Sequence, residues 1–209
     1  MTETNIWMIR HALVAENARA VIYGDNDVAL CAHTLAAQKP MYAALARRLP
    51  RPGPNTVWVT SPLSRTKRTA EAIFEAGYPL QLPAVEPGLI ELSFGDWQGL
   101  EHHLLPARLQ QAPHAFWPVA ATERPPGGES MQDCIERVGP VMERLAQTYP
   151  GCDVIAVAHG GVIRAAVAHA LGISAQAALH LSVENLSLTR LDRLPGGWRV
   201  DCVNELPGV

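Results

Sequence analysis

The chain has 209 residues, of which 48% are hydrophobic and 18% charged, and its formal net charge is −3 at pH 7. This length predicts a single domain, residues 1–209, with one sizeable core. The slightly acidic balance argues against a nucleic-acid partner. Because residues 1–5 lack the features of a signal peptide and no apolar run could span a bilayer, we expect no membrane partner and a cytoplasmic location.

Strand and helix signals alternate along the chain, which is typical of an α/β domain. The pattern predicts three layers, α/β/α, around a mostly parallel central sheet. Buried strands are predicted at residues 6–9, 56–60 and 154–158, short strands within 80–92, and a β-hairpin within 186–203. Helices are predicted at residues 34–49, 63–76, 128–149 and 162–171.

The pattern loosens between residues 96 and 127, which hold Trp97, Trp117 and five prolines. We expect an irregular helical insertion here. A surface excursion with its own small cluster and a lid over a substrate pocket are equally compatible with this composition.

Cysteines and paired histidines give no metal signature. The four cysteines form no CxxC pair, which suits reduced, small buried residues better than disulfides or zinc ligands; they are Cys31, Cys134, Cys152 and Cys202. His102 and His103 are adjacent, but neighbouring residues on a helix point about 100° apart. We therefore expect neither a metal nor a cofactor.

Two of the predicted strands stop at a histidine. The run Ile6–Ile9 ends at Arg10 and His11, and the run 154–158 ends at His159. The carboxyl ends of parallel strands share one edge of an open α/β sheet, where this architecture binds its ligands. A strand-end histidine alone is usually structural, but the two phrases together indicate one shared pocket.

The residues at this edge suit an anion such as a phosphate monoester. Arg10 and Arg65 offer guanidinium forks, and Gly160 and Gly161 begin a helix whose free amides can approach an anion closely. A neutral imidazole beside the bound phosphate is a competent nucleophile, and His11 is the candidate because it adjoins Arg10.

Two further roles complete this chemistry. His159 would donate to the phosphoryl oxygens and stabilise the charge of the transition state. Glu91 ends the strand-like segment 88–92 beside apolar residues, an environment that favours its protonated form. It is the candidate general acid for the leaving alkoxide and, once deprotonated, the base for hydrolysis of the phosphohistidine.

Five phrases in order resemble the histidine phosphatases, the phosphoglycerate mutase-like superfamily, from Ile6 to about Leu191. They are Ile9-Arg10-His11 with Asn17, Thr60-Ser61-Pro62-Leu63-Ser64-Arg65-Thr66 with Thr69-Ala70, Glu91 to Gly99, Pro126 to Ser130, and Ala158 to Arg164. The resemblance implies a phosphoglycerate mutase-like fold and a phosphorylated His11. It also implies a phosphate pocket of Arg10, Arg65 and His159, a phosphate contact from Asn17, and Glu91 as proton donor.

The chain departs from the family pattern in one loop. Ala12 stands where the family usually has glycine, which would strain the backbone by about 1 kcal/mol or more if that position needs a positive φ. An arginine common in the family is Val21 here, and residues 30–34 also differ. Tyr23 and Gly24 still fit, with Gly24 able to bring the backbone near the phosphate. These changes indicate altered substrate recognition.

Three hypotheses for function remain. The first is a metal-independent phosphomonoesterase acting on a small phosphorylated metabolite, resembling α-ribazole phosphatases and fructose-2,6-bisphosphatase-like enzymes. The second is a mutase, disfavoured because mutases follow the catalytic glutamate with an Arg-His-Tyr-Gly-like phrase where this chain has residues 92–95. The third is a non-catalytic phospholigand-binding domain, supported only by Ala12. The oligomeric state is left open, a homodimer included, and Arg164 is expected to brace its helix.

Overall fold

The computed structural model describes residues 3–208. Met1, Thr2 and Val209 lie outside the described residues, so the ends of the predicted 1–209 domain and part of the N-terminal segment are not characterised. Within residues 3–208, none of the helices combines the length and apolar character required to cross a membrane.

One six-stranded sheet organises the chain. Its strands are β1 (Thr4–Arg10), β2 (Thr56–Thr60), β3 (Ala84–Val85), β4 (Asp153–Ala158), β5 (Leu188–Leu194) and β6 (Gly197–Glu205), in the spatial order β3-β2-β4-β1-β5-β6. The first four in that order are mutually parallel, whereas β5 runs antiparallel to β1 and pairs with β6 as the predicted hairpin. The mostly parallel sheet is confirmed.

Helices cover both faces of the sheet. They are α1 (Glu16–Arg19), α2 (Ala32–Ala37), α3 (Lys39–Arg48), α4 (Ser64–Glu75), α5 (Met131–Thr148), α6 (Gly160–Leu171) and α7 (Ala175–Ala178). Alternate β1 side chains enter two cores, with Ile6 and Met8 facing α5 and α6, and Trp7 and Ile9 facing α3 and α4. The central strands are therefore continuous apolar runs, because they are buried on both sides, and the three-layer prediction is confirmed.

Two predicted elements differ from the structure, and proline accounts for both. The helix predicted at 34–49 is two helices, because Pro40 lacks an N–H and is accommodated in the first turn of α3 rather than inside one long helix. The predicted strands within 80–92 shrink to the two residues of β3, followed by a 3-10 helix at Pro87–Leu89. Glu91 therefore lies in a loop after a 3-10 turn, not at the end of a strand.

The segment 96–127 runs over the carboxyl edge of the sheet without regular α-helix or strand. It holds 3-10 turns at Gly95–Trp97 and His102–Arg108. The buried carboxylate of Glu123 accepts the backbone N–H groups of Gln110 (3.0 Å) and Gln111 (2.9 Å), which fixes the segment from within.

Candidate active site

The two strand-end histidines lie side by side. β1 and β4 are neighbouring parallel strands with Arg10 opposite Ala158, so the next residue on each strand emerges at the same edge of the sheet. The ring centroids of His11 and His159 are 5.1 Å apart, and both side chains are buried. The structure thus brings these residues into one site.

The ring of His11 is fixed in one tautomer. Its Nδ1–H donates to the carbonyl of Ala12 at 2.7 Å, because a carbonyl can only accept. In the neutral ring this leaves a lone pair on Nε2. Burial first, and then the charges of Arg65 and Arg10, hold the pKa of His11 well below its usual 6.5, so the imidazole is neutral at neutral pH.

His159 is held at both ring nitrogens. Its Nδ1 accepts from Nε of Arg65 at 3.2 Å, and its Nε2–H donates to the hydroxyl of Ser61 at 2.8 Å. Burial comes first among the causes that hold the pKa of His159 well below 6.5, followed by repulsion from His11 when that ring is protonated and by the charges of Arg65 and Arg10. The predicted donation from His159 to a phosphoryl oxygen therefore requires Nε2–H to exchange Ser61 for the ligand.

Arg65 is a buried residue of the site that holds three neighbouring groups in place. Besides its bond to His159, its Nη1 donates to the carbonyl of Asn26 (2.7 Å) and its Nη2 to that of Gly24 (2.8 Å), and the side chain is fully buried. Tyr23 lies against the guanidinium at 5.4 Å. Gly24 was expected to bring its backbone to the phosphate, whereas here its carbonyl binds Arg65.

Gly24 also satisfies a steric requirement. Its φ is +45°, and a Cβ there would lie 2.3 Å from Oε1 of Gln98. Because Gln98 accepts the N–H groups of Asp25 (3.1 Å) and Phe94 (3.2 Å), it joins the loop after α1 to the start of the 96–127 segment.

Arg10 presents an unsatisfied donor. Its Nη1 donates to the carbonyl of Val183 at 2.5 Å, whereas its buried Nε–H has no acceptor within residues 3–208. Gly160 permits this packing, because a Cβ there would lie 3.4 Å from Nε of Arg10 and 3.1 Å from Nη1 of Arg164. Gly160 thus lets two arginines approach the start of α6.

Glu91 lies at the same helix start. Its Oε1 accepts the N–H of Leu92 at 2.9 Å and its Oε2 accepts that of Gly161 at 3.3 Å. The amide of Gly161, expected to remain free for an anion, is therefore engaged by Glu91. The carboxyl group meets backbone amides where apolar surroundings were expected, because Glu91 sits in a loop facing α6.

The site residues named from the sequence do not all converge. Asn17 lies exposed on α1, and no hydrogen bond joins its side chain to the rest of residues 3–208. Its phosphate contact therefore stays a prediction.

Ala12 carries no backbone strain, because the condition for it, a positive φ at this position, is not met. Among non-glycine residues in the described part of the chain, positive φ occurs only at Leu186 and Asn204. Ala12 is buried in the core beneath α3 and α4, and its N–H donates to the hydroxyl of Thr69 at 3.0 Å. The hypothesis of a non-catalytic domain thereby loses its only support.

A cavity of about 220 Å³ opens beside this cluster. Its walls combine arginines, Glu91 and aromatic rings from the 96–127 segment and the loop after α1; they are Arg10, Val21, Ile22, Tyr23, Gly24, Glu91, Leu92, Phe94, His102, Trp117, Pro118, Gly160 and Arg164. A larger depression of about 520 Å³ lies between α2, α3 and α4, away from both histidines. The smaller cavity is the candidate substrate site because it adjoins the unsatisfied donors.

Sequence reasoning missed three contributors. Ser61 is the partner of His159, and its position at the end of β2 in the Thr60-Ser61-Pro62 phrase was the available signal. Arg164 was expected only to brace its helix, and Trp117 was assigned no role, yet both line the cavity. No local pattern could show this, because their contacts join residues far apart in the chain.

The described residues contain no cluster of three or more side chains suited to hold a metal. His102 donates from Nε2 to the carbonyl of Arg19 at 3.1 Å instead. The four cysteines are free thiols, of which only Cys134 is buried.

Two neutral buried histidines and the unsatisfied guanidinium donor of Arg10, at the carboxyl edge of a parallel sheet, form a site suited to an anionic ligand. The family model of the histidine phosphatase superfamily (branch 1) matches residues 6–206. The chain belongs to this superfamily and is an enzyme of the histidine phosphatase type.

Known proteins resemble the chain over nearly its full length. A glucosyl-3-phosphoglycerate phosphatase of Mycolicibacterium vanbaalenii is 32% identical, with 94% of this chain and 92% of the relative covered. A probable phosphoglycerate mutase, GpmB, of Serratia proteamaculans is 28% identical, with 96% and 93% covered. The solved structure of a mycobacterial glucosyl-3-phosphoglycerate phosphatase superposes with a TM-score of 0.78 at 27% identity, covering 97% of this chain and 99% of that one.

Proposed function

We propose that this protein is a metal-independent phosphomonoesterase that hydrolyses a small phosphorylated metabolite through a phosphohistidine on His11. The observation that carries the proposal is the His11 ring, which is neutral and tautomerically fixed, with a lone pair on Nε2. The relatives named as phosphatases support the same conclusion.

In the first step, Nε2 of His11 attacks phosphorus and the bond from phosphorus to the ester oxygen breaks. Arg10 can bind the phosphoryl oxygens, because its buried Nε–H has no acceptor among the described residues. The charge of Arg65 favours the dianion, and His159 donates once Nε2–H leaves Ser61. Protonated Glu91 supplies the proton that the leaving alkoxide needs.

In the second step, water attacks the phosphohistidine. Glu91, now a carboxylate, accepts the proton of that water, and the bond from phosphorus to Nε2 breaks to release inorganic phosphate. His11 returns to its neutral state and Glu91 to its protonated state, so the cycle closes without another reactant.

The test is phosphate release from p-nitrophenyl phosphate in the presence of a chelator. We expect turnover by the native protein and its loss in His11→Ala, whereas His33→Ala, which removes an exposed histidine on α2, stays active. Rapid denaturation at alkaline pH, where phosphohistidine survives, should trap one phosphoryl group per chain. Undiminished turnover by His11→Ala contradicts the mechanism, and dependence on added metal contradicts its metal-independent form.

A mutase activity is the second candidate, because relatives named as probable phosphoglycerate mutases align over 96% of the chain. A mutase needs a bisphosphorylated primer to exchange phosphoryl groups. We expect 2,3-bisphosphoglycerate to produce no isomerisation of 3-phosphoglycerate here, and stimulated exchange would favour the mutase instead.

A further inference from the structure

Arg164 is a buried cation that faces the cavity. It lies one turn after Gly160 on α6, is 9% exposed, and donates from Nε to the carbonyl of Leu181 (2.9 Å) and from Nη1 to that of Gly160 (3.1 Å). The bracing role expected from the sequence is therefore present. Nη2, however, has no acceptor within residues 3–208, and the side chain lines the cavity.

Trp117 reaches the same wall from the 96–127 segment. Its ring stacks on the guanidinium of Arg164 at 4.7 Å. Its indole N–H is buried and also lacks an acceptor in the described part of the chain. Buried donors of this kind are normally satisfied. The indole N–H of Trp117 and the Nε–H of Arg10, which lines the same cavity, therefore indicate a ligand with acceptor groups.

The charge around Arg164 points to an anion. No carboxylate forms a salt bridge with Arg164 or Arg10 among the described residues, although the two arginines flank Gly160 together. Burial, followed by the charge of Arg10, lowers the pKa of Arg164 to about 10, and Glu91 is the acid that opposes this. Two adjacent cations with so little compensation favour a ligand that supplies negative charge.

The position of Arg164 separates it from the scissile phosphate. Arg65 is held against His159 and does not contribute to the cavity wall, whereas Arg164 does. A phosphoryl group on His11 would use Arg10 and Arg65. Arg164 would then be free to bind the part of the substrate that extends into the cavity.

We propose that Arg164 and Trp117 form a subsite for a second anionic group, so that the preferred substrates are phosphomonoesters that also carry a carboxylate or another phosphate. This inference rests on the proposed phosphomonoesterase activity. It specifies the class of substrate that the activity serves.

Matched substrate pairs test the subsite. 3-Phosphoglycerate and glycerol 3-phosphate differ in a carboxylate, and fructose 1,6-bisphosphate and fructose 6-phosphate differ in a second phosphate. We expect the native enzyme to favour the more anionic member of one pair by about 10- to 100-fold in kcat/KM, as one hydrogen-bonded charge pair allows. The pair that shows the preference identifies the group.

Variants assign the preference to its residues. Arg164→Gln should reduce the ratio within that pair to about 3-fold or less, Arg164→Lys should retain part of it, and Trp117→Phe should weaken it while keeping the ring. Arg144→Gln removes an exposed arginine from α5 and should leave the ratio unchanged. A loss that is equal for both members would show that Arg164 only braces the helix, and would overturn the proposal.

A binding measurement keeps the two proposals separable. The increase in melting temperature given by 3-phosphoglycerate or fructose 1,6-bisphosphate should exceed that given by its less anionic partner, with or without turnover. Hydrolysis of p-nitrophenyl phosphate without discrimination in either pair would overturn the subsite alone. Discrimination in binding without any hydrolysis would support the subsite and overturn the phosphomonoesterase.

Discussion

Nε of Arg65 donates a hydrogen bond to Nδ1 of His159 across 3.2 Å, and both side chains are fully buried. Because an arginine only donates, this bond keeps the proton of neutral His159 on Nε2, where it reaches Ser61. The same guanidinium holds the carbonyls of Gly24 and Asn26. Arg65 thus fixes both the second histidine and the loop at the entrance of the cavity.

Arg65→Met should damage activity and stability together. It leaves three acceptors without their donor, and two of them, Nδ1 of His159 and the carbonyl of Gly24, are buried. We therefore expect a loss of about 2–4 kcal/mol in the free energy of unfolding and of about 100-fold in kcat/KM. Urea unfolding and p-nitrophenyl phosphate hydrolysis measure the two effects. Arg68→Met on the same helix removes only exposed pairs with Glu71 and Glu75 and should change stability by less than about 1 kcal/mol. Equal effects of the two changes would contradict the assigned role.

The two histidines should make stability depend on pH. Burial and neighbouring cations hold the pKa values of His11 and His159 below 6.5 in the folded chain, whereas both titrate near 6.5 when unfolded. Below about pH 6.5 the unfolded chain therefore binds protons that the folded chain does not. Their stabilising contribution is complete above that pH and is lost as the pH falls, by up to about 1.4 kcal/mol per pH unit for each histidine.

Urea unfolding between about pH 7.5 and 5.5 measures this slope. His11→Gln should roughly halve it, whereas His33→Gln, at an exposed position, should not alter it. Carboxyl groups whose pKa is lowered, such as those of Glu143 and Glu205, lose their contribution only below about pH 4.5. A flat profile in the upper range would contradict the burial of neutral histidines.

The edge of the sheet could be predicted because its determinants are local. The runs that end at His11 and His159 are continuous and apolar, as strands buried on both faces must be. Parallel neighbours bring their ends to one edge, so the pairing of the histidines followed from the pattern alone. The loop conformations were predicted less well. Near Glu91, for example, proline favours a 3-10 turn where the pattern predicted a strand.

The tertiary contacts of the site could not be predicted from local sequence patterns, because they join residues that are far apart in the chain. Glu91 meets the amide of Gly161 across 70 positions of the chain, and no local periodicity encodes that contact. Trp117 reaches Arg164 from an irregular segment whose path depends on Glu123 and its backbone partners. The motifs and the family resemblance predicted candidate residues of the site. The free donors of Arg10 and Trp117 could be found only in the folded chain, because they depend on which acceptors lie nearby.

Ala12→Gly should restore the residue usual in the family without improving the enzyme. Ala12 does not occupy a positive φ, so glycine relieves no strain, and it removes a buried methyl group from the core. We expect a loss of about 1 kcal/mol in the free energy of unfolding and a change in kcat/KM of less than about 2-fold, since no reacting group moves. Chemical unfolding and aryl phosphate hydrolysis provide the measurements. A large gain in turnover would show that alanine restricts the site.

Gly161→Ala should displace the carboxyl group of Glu91 and so test its role as general acid independently of the other site residues. A Cβ at this position would lie 2.6 Å from Oε1 of Glu91, so the carboxyl group must leave the amide that now holds it. An alkyl phosphate needs a proton on its leaving oxygen, whereas p-nitrophenolate leaves without one.

We therefore expect kcat for glycerol 3-phosphate to fall by about 100-fold in Gly161→Ala, within the range for general acid catalysis, and kcat for p-nitrophenyl phosphate to fall much less. Glu91→Gln should reproduce this difference between the two substrates, because it removes the proton without moving α6. If both substrates lost activity equally in both variants, Glu91 would position the phosphate and would not protonate the leaving group.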